Sequence, residues 1–280
     1  MPSFDTPEAI SVTAHVYSGS ILFTTGDRTS TVVKVEPRDP KHDEDARAAE
    51  RTEVAYASGA LTVRTPKANL IGRSGTVDVT VELPTGSNID VSGAGAQVLG
   101  EGRLGDVRLK TTSGDVRLDT TGPLQLSASH GSITVNRVEG TAEITTNSGN
   151  LRVGLVDGPA VLKNAHGSTT VDAVTGELRV NGVNGGVDIA RAEASVTGTT
   201  TNGHLRVADV ARGSVHLETA NGPIEVGIRE GTAAWLDVAS KRGQVRNTLA
   251  TTDTPEQTEE TVSVHARSNW GNIDIRRARA

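Results

Sequence analysis

Glycine recurs through the middle of this chain with a period that few folds can absorb. Gly114, Gly131, Gly149, Gly167, Gly185, Gly203 and Gly222 stand 17 to 19 residues apart. All but Gly167 open a Gly-x-apolar-x-apolar run: GDVRL, GSITV, GNLRV, GGVDI, GHLRV and GPIEV. After Gly167, Thr169 takes the first apolar place, ahead of Val171. A second set, Gly105, Gly122, Gly140, Gly158, Gly176 and Gly213, repeats the pattern about nine residues away, with Ala194 filling the one missing place. The unit is therefore about 18 residues long and consists of two halves, each a short strand and a turn.

Alternation at period two buries one face of each strand. Strands this short, joined by turns this short, return the chain above its own start. Stacked coils then pair strand on strand at roughly 4.8 Å, and each coil buries its apolar pair against its neighbours. The predicted fold is an all-β β-solenoid (β-helix) with two short strands per coil. The recurring glycine is the residue a corner needs where φ is positive or where another backbone comes close. The residue before it forms a column: Ser113, His130, Ser148, His166, Asn184, Asn202 and Asn221. Small polar side chains stacked at a corner can hydrogen-bond one another, and Asn tolerates left-handed backbone.

Composition agrees with a thin core. Only 2% of residues are aromatic and 31 are glycine, so small aliphatic side chains supply the burial. The net charge is −6 with both signs dispersed, which argues against nucleic acid as a partner. There is no cysteine, hence no disulfide and no thiolate metal site. The start, MPSFDTPEAISVTAHVY, has neither the basic nor the apolar region of a signal peptide, and no apolar run is long enough to span a membrane. The expectation is a cytoplasmic protein.

A solenoid has two ends, and the pattern changes where caps are due. Residues 1–90 form an N-terminal capping module, residues 91–248 the solenoid repeats, and residues 249–280 a polar loop with a C-terminal capping strand. In the first module RDPKHDEDARAAERTEVAY reads as the one helix of a βαβ-like cap. Asp39 is placed to cap it, Pro40 to open its first turn, and Asp43, Glu44 and Asp45 to meet the positive end of its dipole. Arg276, Arg277 and Arg279 fall on the last strand, where charge would discourage edge-to-edge growth. Trp235 and Trp270 lie in the irregular coils and are expected to plug the core end.

The order of these segments resembles a known family. SGALTVRTP, then SGTVDVTVELPTGSNIDVSGAGAQV, then SGDVRL and NSGNLRV are similar to the bacterial putative-adhesin β-strand-repeat family, a domain of unknown function. The resemblance extends over nearly the whole chain. It implies a β-solenoid without known catalysis, related to the Lia and phage-shock-associated envelope-stress proteins. Those relatives are often tethered to membrane segments, and this sequence shows no such anchor.

No catalytic motif emerges from the residues. The outward positions of the first strands run Arg117, Thr134, Arg152, Thr170, Asp188, Arg206 and Glu225. Those of the second strands run Arg108, Gln125, Glu143, Val161, Arg179, Thr197 and His216. These mixed rows read as solvated faces. Arg117, Arg152 and Arg206 are the candidate surface contacts, able to meet an extended anionic polymer, although Asp188 interrupts their row. His130 and His166 stand two coils apart, too far to share a metal. Asp115, Asp119, Asp157 and Asp172 do not recur at one register, which argues against calcium. GAGAQVLG completes no nucleotide loop. The reading is a non-enzymatic scaffold or binding protein linked to envelope stress or adhesion, with no cofactor and no metal. Its partner would be a protein or envelope component, and self-association is left open. The rival readings are an exported surface adhesin and a carbohydrate-active β-helix enzyme.

Overall fold

A computed structural model describes residues 2–66, 75–250 and 260–278. The chain folds as a β-solenoid with one helix among the described residues, and it divides into two compact units, Met1–Glu139 and Gly140–Ala280.

The first unit contains β1 (Ser3–Asp5), β2 (Ser11–Gly26), β3 (Ser30–Pro37), α1 (Asp43–Glu50), β4 (Glu53–Ala57), β5 (Ala60–Arg64), β6 (Val77–Pro84), β7 (Asn88–Arg103), β8 (Val107–Ser113), β9 (Val116–Thr121), β10 (Leu124–His130) and β11 (Ile133–Glu139). The long strands β2 and β7 lie parallel along nearly their whole length, from Ser11 beside Asn88 to Thr24 beside Glu101. On the other side of β2, β5 pairs with its first half and β6 with its second. From β7 onward the ladders are parallel: β8 and β9 stack on β7, β10 on β8, and β11 on β9. Ile21, Phe23, Leu61, Leu83 and Leu104 fill the core between them.

The N-terminal segment, expected to be a βαβ-like cap, differs from a βαβ unit. α1 joins β3 and β4, and both are antiparallel to their partners, β3 to β1 and β6, β4 to β5. The helix also starts later than its capping sequence suggests. The Asp39 carboxylate accepts from the Lys41 N–H at 2.9 Å, which spends it on a tight turn, and the extended residue before the helix is His42. Asp45 is instead the buried carboxylate of the helix. It accepts the N–H of Thr76 at 2.7 Å and that of Asp39 at 3.2 Å, fastening α1 to the chain entering β6.

The second unit contains β12 (Ala142–Ser148), β13 (Leu151–Asp157), β14 (Ala160–His166), β15 (Thr169–Val174), β16 (Leu178–Asn184), β17 (Val187–Ala192), β18 (Val196–Asn202), β19 (Leu205–Val210), β20 (Gly213–Asn221), β21 (Ile224–Ile228), β22 (Thr232–Arg242), β23 (Val245–Asn247), β24 (Glu260–Trp270) and β25 (Ile273–Arg277). Two parallel ladders run through it. Ala142, Ala160, Leu178, Val196 and Val215 lie side by side in one, and Leu151, Thr169, Val187, Leu205 and Ile224 in the other. These inward residues are buried, as the alternation requires.

The last coils do not stack in chain order. Val215 of β20 pairs with Val264 of β24, and Val264 pairs with Leu236 of β22. Likewise Ile224 of β21 pairs with Ile273 of β25, and Ile273 with Val245 of β23. The chain lays down β22 and β23 first, then returns to insert β24 and β25 beneath them. The final strand is therefore interior to the stack, which corrects its expected capping place and edge role. Arg276 donates from Nε to Glu225 Oε1 at 2.9 Å, and Arg277 donates to the carbonyls of Arg229 and Thr232 at 3.0 and 2.8 Å. Arg279 lies outside the described residues, as does the 251–259 part of the polar loop.

Candidate functional site

The corner column is built as its residue types suggest. In the second unit His166, Asn184, Asn202 and Asn221 stand in successive coils. Asn184 Nδ2 donates to His166 Nδ1 at 3.1 Å, Asn202 to Asn184 at 2.8 Å, and Asn221 to Asn202 at 2.8 Å. Ser148 stands beside His166, and in the first unit Ser113 stands beside His130. The glycines that follow meet both corner requirements at once. Gly167 has φ +132°, and a Cβ there would overlap the carbonyl oxygen of Gly149 in the coil before.

A second, inner ladder supports the same corner. Asn164 Nδ2 donates to the Gly149 carbonyl at 3.1 Å, Thr219 Oγ1 to Gly203 at 3.1 Å, Ser268 Oγ to Gly222 at 3.0 Å and Ser240 Oγ to Gly271 at 2.8 Å. Each donor stands three residues before a corner glycine, in NAHG, TANG, SNWG and SKRG. A polar residue recurring at an inward position of the strand was the available signal, since a buried polar group needs a partner.

The outward arginines stand in separate settings. Arg117 is exposed along a groove of about 520 Å³ that it shares with Glu101, Asp119 and Asn136. Arg152 is held by Asp172 at 3.0 Å. Arg206 stands 3.7 Å from Glu225, the carboxylate that Arg276 also engages, in a groove of about 470 Å³ that includes Arg246 and Asp274. Each guanidinium of the second unit's pair thus has a carboxylate beside it.

At the inserted coil the outer face changes character. The corner column continues from Asn221 to Trp270 and then Arg242, and the Arg242 guanidinium carbon lies 4.2 Å from the Trp270 ring centroid. Trp235 is 67% exposed and Trp270 53%, so neither plugs the core. The reason is positional: Trp270 occupies the outward corner place that Asn holds in other coils, and Trp235 shares an outward row with Ser263 and Ser214.

The next row brings His216, His265 and Asp237 side by side from β20, β24 and β22. The two imidazoles stack with centroids 4.6 Å apart and planes 3° from parallel. His265 Nδ1 donates to Asp237 Oδ2 at 2.8 Å, and Arg267 Nη2 donates to Asp237 Oδ1 at 2.6 Å. The hydrogen bond from Arg267 is the main cause that holds the Asp237 carboxyl below the ordinary carboxylate range, with the bond from His265 adding to it. His216 Nε2 donates to Glu218 Oε1 at 3.1 Å. His216, Glu218 and His265 each offer one metal-ligating atom, all within 4.8 Å of one another.

With parallel ladders following a mixed-strand N-terminal segment, the chain matches the family model described as Toastrack DUF4097 over residues 8–278. It belongs to that family. Among solved structures, this Toastrack chain is similar to a "putative adhesin" from Bacteroides fragilis, with 15% identity, TM-score 0.37, and 98% of this chain and 95% of that one covered. It is also similar to a "putative cell adhesion protein" from Clostridium sporogenes, with 11% identity, TM-score 0.21 and coverage of 99% and 98%. A "putative adhesin" from Parabacteroides distasonis gives 10% identity, TM-score 0.30 and coverage of 98% and 95%. No curated protein matches the chain. No helix among the described residues is long and apolar enough to cross a membrane.

Proposed function

We propose that this Toastrack chain is a non-enzymatic scaffold that binds a protein partner through the outer face of its last two coils. The observation that carries this reading is the exposure of Trp235 and Trp270, the chain's only tryptophans, on those coils. Tryptophan and arginine are the side chains that most often anchor protein interfaces, and here Arg242 holds the Trp270 ring in place. The inward residues beside them support the reading, because Ala234, Leu236 and Val238 of β22 are only half-buried. The finer proposal is that the partner belongs to the bacterial cell envelope, in stress response or adhesion, as the resemblance of the sequence implies.

The test is a crosslinked pull-down of the tagged protein from its native cells, with soluble and membrane fractions analysed separately. The expected result is a defined protein recovered with the membrane fraction. Recovery only of a soluble partner would remove the envelope link. Turnover of a sugar polymer by the purified protein would overturn the non-enzymatic reading and favour the carbohydrate-active alternative.

A further inference from the structure

Two copies of the tripeptide Ser-Val-His, at Ser214–His216 and Ser263–His265, are far apart in the sequence. The insertion of β24 against β20 brings them into register, His216 beside His265. We propose that His216, His265 and Glu218 form a binding site for a divalent transition-metal ion of the zinc class, with Asp237 positioning His265.

The donor set fits that chemistry. Two imidazole nitrogens and one carboxylate oxygen suit zinc and its neighbours in the series, and a fourth place stays open to water or a partner's side chain. The nitrogen assignment follows from the hydrogen bonds. Asp237 takes the Nδ1–H of His265 and leaves Nε2 as the ligating atom, which is the usual carboxylate–histidine–metal arrangement. His216 presents Nε2 to Glu218, so a metal ion would stand where the shared proton now lies. Around a tetrahedral ion with bonds of about 2.1 Å, neighbouring ligand atoms stand roughly 3.4 Å apart. One ligand-capable atom from each of the three side chains already lies within 4.8 Å of the others, and the remaining approach needs only rotation of side chains that are all at least a third exposed. Local charge favours a cation: Glu218 and Asp237 are both acidic, and the neighbouring base Arg267 is already engaged by Asp237. A bound ion would join β20 to β24 and so fasten the strand that is inserted out of chain order.

This inference stands apart from the proposed protein partner, because it is tested on the purified chain alone. Zinc chloride is titrated into the full chain after removal of any affinity tag, with bound metal counted by equilibrium dialysis and stability followed by thermal melting. The expected result is one zinc ion per chain at micromolar concentration, with a higher melting temperature. His216→Gln and His265→Gln should each lose that ion, and Asp237→Asn should weaken it about 10- to 100-fold. His166→Gln, at the corner column, should bind as the wild type does. Metal-free melting temperatures show that the variants are folded. Nickel or copper should also quench Trp235, two residues along β22 from Asp237 and on the same face. Stoichiometric zinc that survives both His216→Gln and His265→Gln would overturn the proposal, as would the absence of binding at micromolar zinc.

Discussion

Within the second unit, β14 and β22 occupy equivalent places in the same ladder and end up in opposite conditions. Ala160, Leu162 and Asn164 of β14 are almost fully buried, whereas the residues at the same positions of β22, Leu236, Val238 and Ser240, are half-exposed. Outside, the interior coils show Arg152 held by Asp172, while the last two show exposed tryptophan, and His265 of β24 stacks on His216 of the neighbouring β20. Both regions use the same glycine corner, and Ser240 still donates to the Gly271 carbonyl as Thr219 does to Gly203. The corner and the inward pair make a coil. What the coil can bind depends on where it sits in the stack and on what replaces the solvated residues of its outer face.

The largest effect is expected at the corner. Gly167→Val places a branched side chain at φ +132° against the Gly149 carbonyl and should cost about 4 kcal/mol or more in chemical denaturation. A mild effect would mean that the stack can open at its corners. Truncation of the inward pair comes next. Leu162→Ala should cost about 3 kcal/mol through the cavity it leaves, and Val238→Ala about 1 kcal/mol, because β22 is only half-covered. Equal losses would show that the last coil is as well packed as the interior.

A smaller, pH-dependent effect belongs to Arg229. It donates to Glu193 at 2.7 Å and to Asp209 at 2.7 Å, and its hydrogen bond is the main cause that holds the Glu193 carboxyl below its ordinary value. A carboxylate held low in the folded state stabilises the fold above its unfolded pKa of about 4.3, and that contribution is lost as pH falls through the lower folded value. Arg229→Gln should therefore lower stability near pH 7 by about 1 kcal/mol and flatten the acid limb of the melting-temperature profile. An unchanged acid limb would assign that limb to other carboxylates. The smallest effect is expected from Arg152→Ala, whose exposed pair with Asp172 should contribute less than about 0.5 kcal/mol.

The strands and corners were legible because alternation and a periodic glycine are local signals. Each inward Val or Leu of the repeat lies where period two places it, and the Asn184–Asn202–Asn221 column hydrogen-bonds as stacked amides should. The order of the last coils was not legible. Gly243 and Gly271 open similar runs, and nothing in QVRN or NIDI says which coil lies outermost. Trp235 and Trp270 lie outside because they occupy outward places in their strands, Trp235 in the row of Ser263 and Ser214 and Trp270 in the corner column beside Asn221. Reading Trp270 as the residue before a corner glycine would have put it outside. The pairing of His216 with His265 depends on the same insertion, so the repeated Ser-Val-His had no visible consequence until β24 was placed beside β20.

The most direct test of the division between shape and recognition is a side-by-side pull-down from native cells. It compares the wild type, a Trp235→Ala/Trp270→Ala double variant and an Arg117→Ala/Arg152→Ala double variant, all matched for melting temperature. The prediction is that partner recovery is lost with the tryptophan pair and kept with the arginine pair. Recovery kept without the tryptophans and lost without the arginines would place binding on the regular coils and contradict the account.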